Sequence, residues 1–274
     1  MSIELSREYL KAVLKNKNED DQALNFLHDN SYEEIFQHGY VFNGPELIRL
    51  SQSVLLDDCE WLDFKEINGY ESRKTKNGHS FVLLEVEASG KFKSENTPFF
   101  HLACFLQTWG RDGKLISGKI FGDFWCDQKL ARNLLSKSTK ITVEKDLENK
   151  SKNAYSSIVK SNLTSEDNWQ DPDTEFSILI GYKPARYNIS FEELKNRYRE
   201  IYLSDSSLLI ETVFISENTS VIESRITGTD ASNSSFDIRE CFLSEWKNNK
   251  IIKCRVYSVK IPALEDTIEG INKI

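Results

Sequence analysis

"FLQTWGRDGKLISGKIF", Phe105 to Phe121, decides the fold, because a second version of it, "FLSEWKNNKIIKCRVY", runs from Phe242 to Tyr257. The two start points lie 137 positions apart (242 − 105). Each reads Phe-Leu-x-x-Trp, a short polar turn, a lysine and then a strand of alternating polarity. Working outward from the two tryptophans pairs Cys104 with Cys241, Gly90 with Gly228 and, in an upstream helix, Glu46-Leu47 with Glu193-Leu194. A whole domain written twice is the economical explanation.

The surrounding chain follows one plan in both copies. Tyr9, Leu10, Val13 and Leu14 recur at helical spacing, and Ala23, Leu24 and Leu27 suggest a second short helix. An extended piece, "YEEIFQHGYVF", leads to Asn43-Gly44-Pro45, which opens a helix marked by Leu47, Ile48, Leu50 and Val54. Four strands follow, "WLDFKEINGYESR", "HSFVLLEVEASG", "PFFHLACFLQTW" and "KLISGKIFGDFW", with Lys76-Asn77-Gly78 closing a hairpin. After a polar linker with a helix over Gln128 to Ser136, the plan restarts. A helix over Ala154 to Leu163 and a strand near "EFSILIGY" precede "SFEELKNRYREIY", where Ser190 and Glu193 fit a capping box. Four more strands end at "KIIKCRVYSV". The expected organisation is a first domain over 1–127, a second over 128–262 and a tail over 263–274.

A chain of 274 residues with 39% hydrophobic content can bury two cores. The formal charge is −8, and the acidity sits in residues 1–127, with 21 Asp+Glu against 14 Lys+Arg. Without a basic, aromatic-interleaved cluster, nucleic acid is not an expected partner. Five cysteines without paired C-x-x-C spacing signal neither a disulfide framework nor a zinc site, so no metal is expected. The charged N-terminal stretch lacks the apolar core of a signal peptide, and no run reaches spanning length; the expectation is a cytoplasmic protein without membrane association.

Helix, helix, short strand, helix and four antiparallel strands, with "WGRDGKLI" at Trp109–Ile116 and "WKNNKII" at Trp246–Ile252, resemble the SnoaL-like branch of the nuclear transport factor 2 superfamily. The resemblance covers nearly the whole chain as two copies. It implies an α+β fold of two tandem cone-shaped domains, each a curved antiparallel sheet wrapped around N-terminal helices with a pocket between. Alternation then places Phe99, His101, Ala103, Phe105, Gln107 and Trp109 on the inner face, and Phe100, Leu102, Cys104, Leu106 and Thr108 on the outer one. A strand apolar on both faces needs cover on both, so the two domains are expected to pack back to back as an intramolecular pseudo-dimer, with further homo-oligomerisation open.

The family implies either a cofactor-free isomerase, cyclase or dehydratase acting on a small hydrophobic carbonyl compound, or a module that only binds a small molecule or protein. All four histidines lie in the first copy, so imidazole chemistry is available only there. His101 is the leading acid/base candidate, with Gln107 to polarise a carbonyl and Phe105 and Trp109 as apolar walls; the alternative is a satisfied core histidine. His38 lies near the region where ketosteroid isomerases carry their base, although ungapped alignment gives Ile35. Asp63 and Glu66 follow on the next strand, as a complement or as surface carboxylates. Asp123 stands where SnoaL-type cyclases place a carboxylate, but faces inward only beyond a bulge, since Gly118, Ile120 and Gly122 hold the inward parity. Phe105 occupies the position of the hydrogen-bond-donating acid of ketosteroid isomerases, so steroid isomerisation itself is not expected. In the second copy Glu240 replaces Ala103, and Glu223, Arg225, Arg239 and Arg255 suggest cross-strand ion pairing; this copy reads as degenerate.

Overall fold

The computed structural model describes residues 2–15, 21–94, 96–125, 146–160, 169–181, 186–201, 205–230 and 232–261. The chain divides into two compact units, Met1–Ser136 and Lys137–Ile274. Four α-helices and two six-stranded sheets, one sheet per unit, occur among these residues, making the fold α+β.

The first unit opens with α1 (Ser2–Leu14), whose buried residues Ser2, Ser6, Tyr9 and Val13 repeat at intervals of four, three and four. A 3-10 turn over Leu24–Phe26 stands where a second helix is expected; the chain turns directly into β1 (Leu27–Ile35), because Leu27 is already paired with Leu115. Then come β2 (Tyr40–Asn43), α2 (Pro45–Asp58), β3 (Cys59–Glu71), β4 (Ser80–Phe92), β5 (Pro98–Trp109) and β6 (Leu115–Trp125). The sheet order is β2-β1-β6-β5-β4-β3, with β1 parallel to β6 and every other pair antiparallel. Lys76-Asn77-Gly78 does close the β3–β4 hairpin, Gly78 taking φ +79° and donating its N–H to the Thr75 carbonyl.

The second unit repeats the plan with α3 (Leu147–Val159), β7 (Gln170–Ile180), β8 (Arg186–Ile189), α4 (Phe191–Ile201), β9 (Ser207–Ser216), β10 (Thr219–Thr229), β11 (Ser235–Lys247) and β12 (Lys250–Lys260). Its order, β8-β7-β12-β11-β10-β9, is the same strand for strand, including the single parallel pair, β7 with β12. The capping box is formed: Glu193 N–H donates to Ser190 Oγ at 3.2 Å, and Ser190 N–H to Glu193 Oε2 at 2.8 Å. α3 begins seven residues before the helix expected at Ala154, and the linker helix over Gln128–Ser136 lies outside the described residues.

The repeat is physical, not only textual. Gly90 is paired with Phe99 and Gly228 with Phe236, so in each unit an aromatic ring lies over a glycine on the neighbouring strand. Trp109 and Trp246 are both buried. One pairing shifts by a residue: Leu47 is exposed while Ile48 is buried, and the buried counterpart Leu194 stands four residues after Ser190 as Ile48 does after Gly44. Ile48, not Leu47, is therefore the match of Leu194.

The inner face of the first sheet is the one the helices cover. Val82, Leu84, Val86, Ala103, Phe105, Trp109 and Leu115 pack there with Tyr9, Ala12, Val13, Leu27 and Ile48, and Trp109 meets Tyr9 edge-on at 6.3 Å. Arg7 of α1 grips Glu66 of β3 through Nε and Nη2 at 2.6 and 2.7 Å, fastening helix to sheet. Ile120 joins the same core, so the inward parity of β6 holds as far as Ile120; beyond it the register against β5 shifts by one residue between the Cys104–Phe121 and Leu102–Phe124 pairs, the bulge on which an inward Asp123 depends. In the second unit the charged set pairs within its own sheet: Arg225 with Asp237, Arg239 with Glu211 and Arg255 with Glu245 at 2.8 Å, while Glu223 accepts from Thr212. Among the described residues no helix is long and apolar enough to cross a membrane.

Candidate functional site

One row across the inner face of the first sheet carries two buried polar side chains, Glu33 and Gln107. Gln107 of β5 pairs with Gly118 of β6, and Gly118 pairs with Glu33 of β1, all three on the inner face. Gly118 has no side chain, and the Glu33 carboxylate fills the room above it: a Cβ there would stand 3.5 Å from Glu33 Oε2. Gly122, four residues further along β6, similarly makes way for Gln37, whose Nε2 would lie 2.7 Å from a Cβ. Both expected inward glycines thus seat buried polar side chains.

Glu33 is held from α2. Gln52 Nε2 donates to Tyr9 Oη at 2.6 Å and to Glu33 Oε2 at 3.4 Å, while its Oε1 accepts from Arg49 Nη1 at 3.4 Å. Arg49 can only donate, so it fixes which end of the amide faces Glu33. Arg49 is itself buried, ion-paired with Asp21 and bonded to the Val13 carbonyl. Burial pushes the Glu33 carboxyl up to about 7, with the Gln52 hydrogen bond pulling the other way. Burial, then the Glu33 charge, raises the Tyr9 phenol well above its ordinary value. The hydroxyl of Ser31, two residues before Glu33 and on the same face of β1, is buried with no hydrogen-bond partner. A carboxyl that exchanges its proton near neutrality, beside an amide, a phenol and an unsatisfied hydroxyl, can act as general acid or base.

The residues expected from sequence are distributed differently. Gln107 and Trp109 lie in the interior, where Trp109 Nε1 donates to Gln107 Oε1 at 3.2 Å, and Phe105 stacks edge-on with Phe64 at 5.7 Å. His101 is on the same face but six residues from Gln107, roughly 20 Å along the strand; its ring tilts against Phe99 at 5.3 Å, and it pairs with Ala88 and Trp125. His38 is exposed at the end of a 3-10 turn, stacked on Tyr40 at 5.5 Å. Asp63 is exposed on β3, on the side opposite Phe64, which packs inward. The Asp123 side chain lies outside the described part of the structure. Glu33, Gln52, Tyr9 and Ser31 form a cluster that the sequence reading passes over; inward parity counted back from Ile35 reaches Glu33 directly.

The second unit holds a different polar cluster. Glu240, fully buried, accepts from Tyr198 Oη at 2.8 Å, Tyr155 Oη at 3.0 Å and Arg197 Nη2 at 3.2 Å. Arg197 also donates to Ser258 Oγ at 2.6 Å, and Tyr155 shares a hydrogen bond with Ser224. Burial and the nearby Glu240 charge drive both phenols well above their usual range. At the position of Glu33 this unit has Phe176, since Phe176 pairs with Cys254 and Cys254 with Ser244, the same row as Glu33, Gly118 and Gln107. The two interiors are therefore chemically distinct. Among the described residues no group of three or more His, Cys, Asp or Glu could hold a metal ion.

Neither a protein-family model nor a curated protein matches this chain. Solved structures similar to it include a protein with a ketosteroid isomerase-like fold from Catenulispora acidiphila DSM 44928, in complex with trimethylamine, at 16% identity, TM-score 0.36, over 43% of this chain and 83% of that one. Others are a nuclear transport factor 2-like protein of unknown function from Exiguobacterium sp. 255-15, at 10% identity, TM-score 0.36, over 44% and 96%, and the hexachlorocyclohexane dehydrochlorinase LinA-type3 from Novosphingobium barchaimii LL02, at 17% identity, TM-score 0.37, over 42% and 80%. Each spans less than half of this chain.

Proposed function

We propose that the first unit performs cofactor-free general acid/base chemistry on a small, largely apolar carbonyl compound, as an isomerase, cyclase or dehydratase. The observation that carries this reading is the buried Glu33, raised to about 7 and supported by Gln52, with Tyr9 close by. Glu33 takes the proton and returns it; Gln52 orients it; Phe105 and Trp109 supply apolar wall. Of the acid/base residues expected from sequence, His101 is the candidate for a second partner because it shares the inner face, and Asp123 follows it beyond the β6 bulge; His38 and Asp63 are exposed, Asp63 on the opposite face of β3, and take no part in this reading.

The test is α-proton exchange. The full chain is incubated in deuterated buffer with a panel of small cyclic ketones, and loss of the α-proton signal is followed by NMR. Exchange faster than buffer, rising through pH 7 and lost in Glu33→Gln, supports the reading. Exchange equal in wild type and Glu33→Gln overturns it. The competing reading is a binding module; Trp109 N–H occupies the Gln107 carbonyl oxygen and leaves the amide N–H groups to meet a ligand carbonyl under either reading. Mass spectrometry of small molecules that copurify with the chain distinguishes it, since a tightly retained apolar compound with no proton exchange is what a binder gives.

A further inference from the structure

We propose that the outward face of α2 docks a basic amphipathic helix of a partner protein. Leu47, Leu50 and Val54, at i, i+3 and i+7, form one stripe, and they are 51%, 59% and 56% exposed. Leu55 flanks the stripe, and Val41 of β2, the edge strand next to α2, is 54% exposed. Five of the eight large hydrophobic side chains exposed among the described residues thus fall between Val41 and Leu55. The core does not need them. It is served by Ile48, Arg49 and Ser53 on the opposite face. A helix that carries apolar residues on its solvent side as well as its core side has two faces to cover.

Charge selects the occupant. On this helix Glu46 stands at the N-terminal end and Asp57 and Asp58 at the C-terminal end, all exposed, while the single cation, Arg49, is turned inward and ion-paired with Asp21. At the C-terminal end Lys93 Nζ reaches the Asp57 carbonyl, so two carboxylates stand there against one ammonium and Glu46 stands alone at the other end, leaving a net negative charge at each. A second copy laid antiparallel sets Glu46 against Asp57 and Asp58, and laid parallel sets each on its own kind; both arrangements repel. Anionic membrane surfaces are repelled for the same reason. A helix with an apolar stripe and lysines or arginines about three turns apart, roughly 16 Å, matches both the stripe and its ends. This surface is independent of the chemistry in the first unit's interior.

The probe is a fluorescent 18-residue Leu/Lys peptide with leucines at helical spacing and lysines at both ends, titrated with the full chain by anisotropy. Controls are the same peptide with glutamate for lysine and a scrambled Leu/Lys peptide without an apolar face. Expected are saturable binding of the first probe, at least tenfold weaker binding of both controls, weakening with salt, and at least a tenfold loss in Leu50→Asp with unchanged circular dichroism. Equal binding of probe and scramble, or undiminished binding to Leu50→Asp, overturns the proposal. So does a dimer in sedimentation that Leu50→Asp dissociates, which makes a second copy the occupant, or Leu50-dependent binding to phosphatidylserine vesicles, which makes it a membrane.

Discussion

Glu33 and Gln107 face the same interior from strands on either side of β6, and the residue between them is Gly118. The absence of a side chain at that one position is what admits a carboxyl to the middle of an apolar sheet face. A Cβ at Gly118 lies at ordinary van der Waals distance from Glu33 Oε2, so Gly118→Ala is expected to cost under about 1 kcal/mol, whereas Gly118→Leu must displace the carboxyl and cost about 1–3 kcal/mol. Urea unfolding of the two variants checks this. Gly118→Leu should also abolish the pH dependence described next, because Glu33 is no longer held in the interior.

That dependence follows from the raised Glu33 carboxyl. Its folded value, about 7, exceeds its ordinary 4.5, so between those two pH values the folded state binds more protons than the unfolded one. Stability contributed by the protonated carboxyl is complete below pH 4.5 and is lost as pH rises through 7, in total about 3 kcal/mol. Glu33→Gln removes the slope and is more stable than wild type at pH 8. Urea midpoints of wild type and Glu33→Gln measured from pH 5 to 8 should diverge; parallel curves would refute the assignment.

The architecture is legible from the chain because it rests on pattern: Phe99 to Trp109 reads as one strand apolar on both faces, Ser190 and Glu193 cap a helix, and the Trp-turn-Lys signature marks the same hairpin twice. The interior chemistry is less so. Histidines attract attention by residue type, yet His38 is exposed and His101 sits far along the strand from the polar row. Glu33 lies in "YEEIF", where two adjacent glutamates look like surface, and only the parity of β1 against Gly118 tells which one turns inward. Gln52 is less legible still, since its role depends on Arg49 and Tyr9 meeting it from two helices.

The glycines opposite Phe99 and Phe236 give a prediction that compares the copies. A Cβ at Gly90 would stand 2.5 Å from the Phe99 ring and 2.8 Å from the Trp61 carbonyl, whereas one at Gly228 meets Ser206 Oγ at 2.7 Å and the Phe236 ring at 3.0 Å. The serine hydroxyl can rotate away and the Ser206 Cα, at 3.1 Å, must give by only a few tenths of an ångström, whereas a strand carbonyl at 2.8 Å cannot move aside. Gly90→Ala should therefore cost about 1–3 kcal/mol and Gly228→Ala less, with thermal unfolding of the two variants as the measurement. Phe99→Ala should relieve only part of the Gly90→Ala penalty, because the Trp61 carbonyl stays.

Two of the buried glutamates, Glu33 and Glu240, should respond with opposite sign. Glu240 receives hydrogen bonds from Tyr155, Tyr198 and Arg197, so its loss leaves a largely buried guanidinium without its counter-ion and the Tyr198 hydroxyl without its acceptor. Glu240→Ala is expected to destabilise by about 3–5 kcal/mol, the range for breaking a buried pair by removing one partner. Glu240→Gln, which keeps the volume but turns an amide N–H toward donors, should fall between wild type and alanine. At pH 8, where Glu33→Gln stabilises, Glu240→Gln destabilises, because one carboxylate is desolvated with a single long hydrogen bond and the other is surrounded by donors. Urea unfolding of the two glutamine variants at that pH decides the matter, and a shift of the same sign in both would show that the two interiors hold their carboxylates alike.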